Sequence, residues 1–136
     1  MRAVLDANVL VSALISKTGA PAQLVERWLA GEFELVVCDA LLIEVERALA
    51  YVKVRERVSA ADAAEYVRVL RELAEVVPDP SAVGPVQSRD AGDDYLLALA
   101  AREHAPLVSG DAHLLELAGR APVLAPREFL EQLSPL

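Results

Sequence analysis

The chain has little of what reactive or cross-linked small proteins are built from. Among 136 residues there is one cysteine, Cys38. No internal disulfide can form, which fits a reducing cytoplasm, and the apolar neighbours Val36 and Val37 mark Cys38 as a buried packing residue. Aromatic residues make up 4% of the composition, so Ala, Val and Leu must fill the core. There are two histidines, His104 and His113. Neither is accompanied by a Ser–His or Cys–His arrangement, so neither is expected to serve in nucleophilic catalysis or as a ligand. No apolar run reaches the roughly 18 to 20 residues needed to span a bilayer. The first apolar run is broken at Asp6, and no basic segment leads into an apolar one with a cleavage site, so no membrane attachment is expected. An excess of positive charge is missing as well. The net charge of −8 argues against a general nucleic-acid-binding surface, which is normally basic. It leaves room for an enzyme whose carboxylates gather around a divalent cation.

What is present is a hydrophobic content of 54% in a chain long enough for one core, so residues 1–136 are expected to form a single domain. Val4-Leu5 begins an apolar, β-branched run that reads as a buried first strand ending on Asp6, with Asn8 two residues later. Two readings of Asp6 are open at this point: a cap for the following helix, or a site residue at the carboxyl end of a strand, where open parallel sheets bind ligands. Ser12 to Gly19 reads as a polar passage. Pro21 opens a helix through Leu24, Val25, Trp28 and Leu29, and Gly31 suits the position just past its end. Glu34 to Cys38 is a second strand, with Asp39 read as the N-cap of a helix that buries Leu41, Leu42, Val45, Ala48 and Leu49. Glu44 and Glu46 lie on opposite borders of that stripe, each about 100° from its centre, and the helical wheel does not decide between them. Lys53, Arg55 and Arg57 form a basic patch. A solvated face that answers the helix dipole is preferred over contact with RNA phosphates.

Ser59 with Asp62 matches a capping box. The helix after it carries Ala63, Tyr66, Val67, Leu70, Leu73, Ala74 and Val77 on one face. Pro78 to Gly92 reads as a long loop, with a short extended piece around Val83 to Val86. Asp93-Asp94 then starts an almost wholly apolar helix, Tyr95 to Ala101. Pro106 to Ser109 is a third strand, followed by Gly110, Asp111 and a short helix. Pro122 to Leu124 is a fourth strand, and a last helix begins near Pro126. Alternating strands and helices point to an α/β fold, a central parallel sheet with helices on both faces.

Three strands thus run into an aspartate: Asp6, Asp39 and Asp111. In a parallel sheet they share one rim, with Glu44 and Asp93-Asp94 on helices beside it. Two unit charges about 4 Å apart repel by ~4 kcal/mol at an effective dielectric near 20. A cluster of such groups needs a positive partner, and oxygen-only donors select a hard cation, Mg²⁺ or Mn²⁺. Asp39 is better read as a cap. Asp93 and Asp94 cannot both be caps.

At these residues the chain resembles the PIN-domain ribonucleases. Val4-Leu5-Asp6-Ala7-Asn8-Val9-Leu10 is similar to their opening motif, and Asp94 to Ala100 to their third acidic motif. Val108-Ser109-Gly110-Asp111 is similar to the last, and Glu44 occupies the place of the helical glutamate. The order and spacing match over essentially the whole chain, at a length suited to toxin-type, VapC-like single-domain members. The resemblance implies a three-layer α/β/α sandwich and a Mg²⁺- or Mn²⁺-dependent endoribonuclease. Asp6, Glu44, Asp94 and Asp111 would be its catalytic and metal-binding acids, and Asn8 and Ser109 would orient ligands or water. Asp93 is left between metal ligand, holder of a water on the metal, and helix cap. Asp90 is expected to cap reciprocally with it. Hydrolysis by in-line attack of a metal-activated water follows from that set. An antitoxin partner and a homodimer are implied by the resemblance alone.

Other classes fit less well. A haloacid-dehalogenase-type, metal-dependent phosphatase would carry a second Asp where Asn8 stands. A receiver domain needs a late Lys, and none follows Lys53. A catalytically idle domain whose acidic rim binds a basic partner is permitted by charge, but it leaves the complete acidic set without a use.

Overall fold

The computed structural model describes residues 1–81 and 94–133. Strand β1 (Arg2–Leu5) buries Ala3, Val4 and Leu5 completely, as expected of a parallel strand covered on both faces. The chain continues through α1 (Ala7–Ile15), α2 (Ala20–Leu29), β2 (Glu34–Val37), α3 (Asp39–Leu49) and the short α4 (Val52–Arg55). Next come α5 (Ala60–Leu73), β3 (Glu75–Val76), α6 (Asp94–Glu103) and β4 (Leu107–Val108). It closes with α7 (Ala112–Leu115), β5 (Val123–Leu124) and α8 (Pro126–Leu133).

The five strands form one sheet in the order β3-β2-β1-β4-β5. All four pairings are parallel, with Ala3 opposite Leu35 and Leu5 opposite Val108. The chain builds outward from β1 to β3, then crosses back to lay β4 on the free side of β1. Right-handed crossovers place α1, α2, α3 and α5 on one face and α6 and α7 on the other. Accordingly α1 packs on α2 and α3, α3 on α5, and α6 on β1 and β4. This is the expected three-layer α/β/α sandwich. The few aromatic residues are used economically: Phe33 and Phe129 meet edge to face at 5.1 Å, joining α8 to the start of β2.

Several boundaries differ from the sequence reading. Ser12 to Ile15 belong to α1, because Asp6 caps a helix that begins at once at Ala7. The sheet has a strand that periodicity concealed: α5 ends at Leu73, and Glu75–Val76 pairs with β2. Ala74 turns extended there, and the Val77 N–H donates to the Val37 carbonyl at 2.9 Å, so the open edge of β2 supplies what a further helical turn would have given. Gly31 does follow α2 in the left-handed region, at φ 83°, and the Ser59 hydroxyl accepts from the Asp62 N–H at 3.0 Å. The expected extended piece at Val83 to Val86 and the Asp90–Asp93 cap lie outside the described residues.

Asp39 is corrected too. Cys38 occupies the N-cap position of α3, and Asp39 is the first helical residue. Its carboxylate pairs with Arg71 at 2.8 Å, while the Ala40 N–H finds its acceptor in Asp79, at 3.0 Å. A cap supplied from 39 residues away leaves no local signal. Cys38 is buried as expected, and that burial pushes its thiol up to about 11.

Candidate active site

Between β1 and β4 the order of the strands reverses, and that is the place where an open parallel sheet leaves a crevice at its carboxyl edge. Asp6 stands at the end of β1, its N–H held by the Val108 carbonyl of β4 at 3.0 Å. The residue is 4% exposed. Its Oδ1 accepts from the Val9 N–H at 2.8 Å, capping α1. Its Oδ2 accepts from the hydroxyl of Ser109, a residue fully buried at the end of β4. The Ser109 oxygen in turn accepts from the Asp111 N–H at 3.0 Å. Asp111 Oδ1 accepts from the His113 N–H at 2.8 Å and caps α7. One hydrogen-bonded chain therefore links the Asp6 carboxylate, through the Ser109 hydroxyl, to the backbone of Asp111. Asp6 thus caps α1 from the carboxyl end of β1, so the two readings that the sequence set as alternatives do not exclude each other.

Burial is the largest influence on Asp6 and pushes its pKa above the usual carboxylate value. The hydrogen bonds from Ser109 and Val9 pull it back, while the charges of Asp111 and Glu44 push it further up. Glu44 is half-buried on α3, and its Oε1 accepts from the Tyr95 hydroxyl at 3.1 Å. That settles the two borders of the α3 stripe. Glu46 is exposed and lines a separate cavity with Leu49, Arg55 and Ala63. Asp94 is the half-buried first residue of α6, next to the tyrosine that reaches Glu44. Asp93 lies outside the described residues. Beside Asp111 opens a cleft of about 290 Å³, lined by Asn8, Ser12, Pro21, Gly110 and Pro126.

Acids elsewhere along the two edges of the sheet have a cationic partner. At the amino edge, Arg2 reaches Glu75 and Glu103, both at about 3 Å, and holds Glu103 below the usual carboxylate range. Asp39 likewise has Arg71. The charges acting on Asp6 are acidic. Among the described residues no three His, Cys, Asp or Glu side chains close into a cage for an ion by themselves. The donor chemistry nonetheless fits a hard divalent cation: oxygen ligands from Asp6, Glu44 and Asp111, with mutual repulsion that such an ion relieves.

Lys53 and Arg55 lie on α4, and Arg57 just beyond it. Arg57 borders a cavity of about 440 Å³ with Lys17, Trp28 and Tyr66. Neither that cavity nor the one at Arg55 shares a lining residue with the cleft at Asp111.

The sequence profile of the PIN domain matches residues 2–118. The chain belongs to the PIN domain family. Several solved structures share its fold, among them the following two. VapBC2 from Rickettsia felis, bound to a DNA fragment from their promoter, matches with 13% identity and a TM-score of 0.60, covering 92% of this chain and 97% of the other. FitAcB from Neisseria gonorrhoeae matches with 15% identity and a TM-score of 0.61, covering 93% and 99%. No curated protein matches the chain. Among the described residues of this PIN domain, no helix is long and apolar enough to cross a membrane.

Tyr95 is the residue that sequence reasoning passed over, because it opens the apolar run to Ala101 and was absorbed into it. The signal was available. A half-buried tyrosine needs a partner for its hydroxyl, and this one directly follows an acidic motif.

Proposed function

We propose that this PIN domain is a Mg²⁺- or Mn²⁺-dependent endoribonuclease that hydrolyses RNA phosphodiester bonds, acting in the cytoplasm as the toxin of a toxin–antitoxin pair. The observation that carries the reading is the hydrogen-bonded chain from Asp6 through Ser109 to Asp111, with Glu44 acting on the same buried carboxylate. Asp6, Glu44, Asp94 and Asp111 would hold the ion, with Asp93 as a further donor. The ion, when bound, supplies Lewis acidity toward the phosphate and toward water. Ser109 fixes the Asp6 carboxylate by donating to Oδ2, and the α1 cap fixes Oδ1, so the ligand is oriented before the ion arrives. Asn8 faces the cleft beside Asp111, where it orients substrate or water. The likeness to VapBC2 and FitAcB supports an antitoxin partner, and the family resemblance a homodimer.

Asp6→Asn tests the reading. Asn keeps an oxygen for the Val9 N–H, so the thermal transition should survive while Mn²⁺-dependent RNA cleavage is abolished. Normal cleavage by the variant would remove Asp6 from the site. A wild-type protein indifferent to Mn²⁺ would favour instead a non-catalytic acidic domain with a basic partner.

A further inference from the structure

We propose that Tyr95 is a positioning residue for Glu44, an inference that rests on the nuclease reading above. Glu44 is attached to α3, on one face of the sheet, whereas Tyr95 belongs to α6, on the other. The hydrogen bond from the Tyr95 hydroxyl to Glu44 Oε1, at 3.1 Å, therefore joins the two outer layers over the carboxyl edge, where Asp6 and Asp111 lie. A glutamate has three side-chain torsions and, on the border of a buried stripe, nothing in its own helix to fix them. The tyrosine has two, and its ring is packed against the core. The more rigid side chain thus holds the more flexible one, with Oε1 engaged by the hydroxyl and Oε2 left for the ion.

Tyr95 also directly follows Asp94. The first turn of α6 thereby supplies one acidic donor and the holder of another, so the two are brought into register by a single helix start. Carboxylate ligands depend on such outer hydrogen bonds, whose loss typically costs about 10- to 100-fold in metal affinity. The contrasting view is that Tyr95 is a core aromatic whose hydroxyl merely found an acceptor.

Calorimetric Mn²⁺ titration of the full chain separates these views, with Tyr95→Phe made both in the wild type and in a Glu44→Ala background. In the wild type, Tyr95→Phe should weaken Mn²⁺ binding about tenfold, with little change in the unfolding temperature of the metal-free protein. In the Glu44→Ala background the same change should have no further effect, because the positioned group is gone. Equal losses in both backgrounds would make Tyr95 structural and overturn the proposal. Unaltered Mn²⁺ affinity in Tyr95→Phe would overturn it too, while leaving the nuclease reading intact. If the wild type binds no Mn²⁺, the nuclease reading falls and this inference falls with it.

Discussion

Replacing Ser109 with alanine removes the joint between the two sides of the crevice. The hydroxyl is fully buried, donates to Asp6 Oδ2 and accepts from the Asp111 N–H at 3.0 Å. A hydrogen bond to a charged group is worth about 1.5–3 kcal/mol, and a buried amide left without a partner costs about 1–3 kcal/mol. With partial relaxation, a loss of about 2–4 kcal/mol at neutral pH is expected, a large share of the roughly 5–15 kcal/mol by which domains are stable. The loss should also depend on pH. Burial holds the folded pKa of Asp6 above its ordinary value, and the Ser109 hydrogen bond opposes that rise. Without the hydroxyl the folded pKa climbs further. A carboxyl with a folded pKa above its unfolded one destabilises while ionised. That cost is complete above the folded pKa, shrinks as pH falls through it and vanishes below the unfolded value. Urea unfolding of Ser109→Ala should therefore show its largest deficit near neutral pH and a smaller one near pH ~4.5. Ser109→Thr keeps the hydroxyl and should show only a pH-independent packing cost of about 1–3 kcal/mol. A deficit in the alanine variant that is the same at both pH values, or absent at neutral pH, would refute the role given to this hydrogen bond.

Three further outcomes are expected. Mn²⁺ at about 100 times its Kd should stabilise the wild type by about 2.7 kcal/mol, reversibly with a chelator. That gain should diminish as pH falls through the raised pKa of Asp6, because a protonated carboxyl is a poor ligand; thermal shifts that grow on acidification would contradict the ligand assignment. His104, which directly follows α6 at φ 53°, is strained there, so His104→Gly should gain about 0.5–1 kcal/mol in urea unfolding, the left-handed penalty outweighing the greater freedom of an unfolded glycine.

Much of the fold was legible because its signals are local. Asp6 stands where an apolar run stops, Gly31 where a stripe ends, and Ser59 three residues before Asp62. Strand β3 was not legible, since two residues at the end of an amphipathic helix carry no period of their own and were recruited by the edge of β2. The misreading of Asp39 has the same origin. An aspartate at a helix start looks like a cap until Arg71 and Asp79 arrive from the far end of α5 and beyond.

The sequence by itself determined four of the five strands, the parallel α/β architecture and the positions of the acidic residues at strand ends. These follow from hydrophobic periodicity and breakers acting within a few residues. Tertiary structure decided what each of these acids meets. A helical wheel places Glu44 and Glu46 symmetrically, and only the arrival of Tyr95, 51 positions away, distinguishes them. Asp6, the cap of α1, gained a second fixed oxygen when Ser109, 103 positions on, was laid beside it in the next strand. Periodicity tells a side chain which way to face. Packing determines what it meets there.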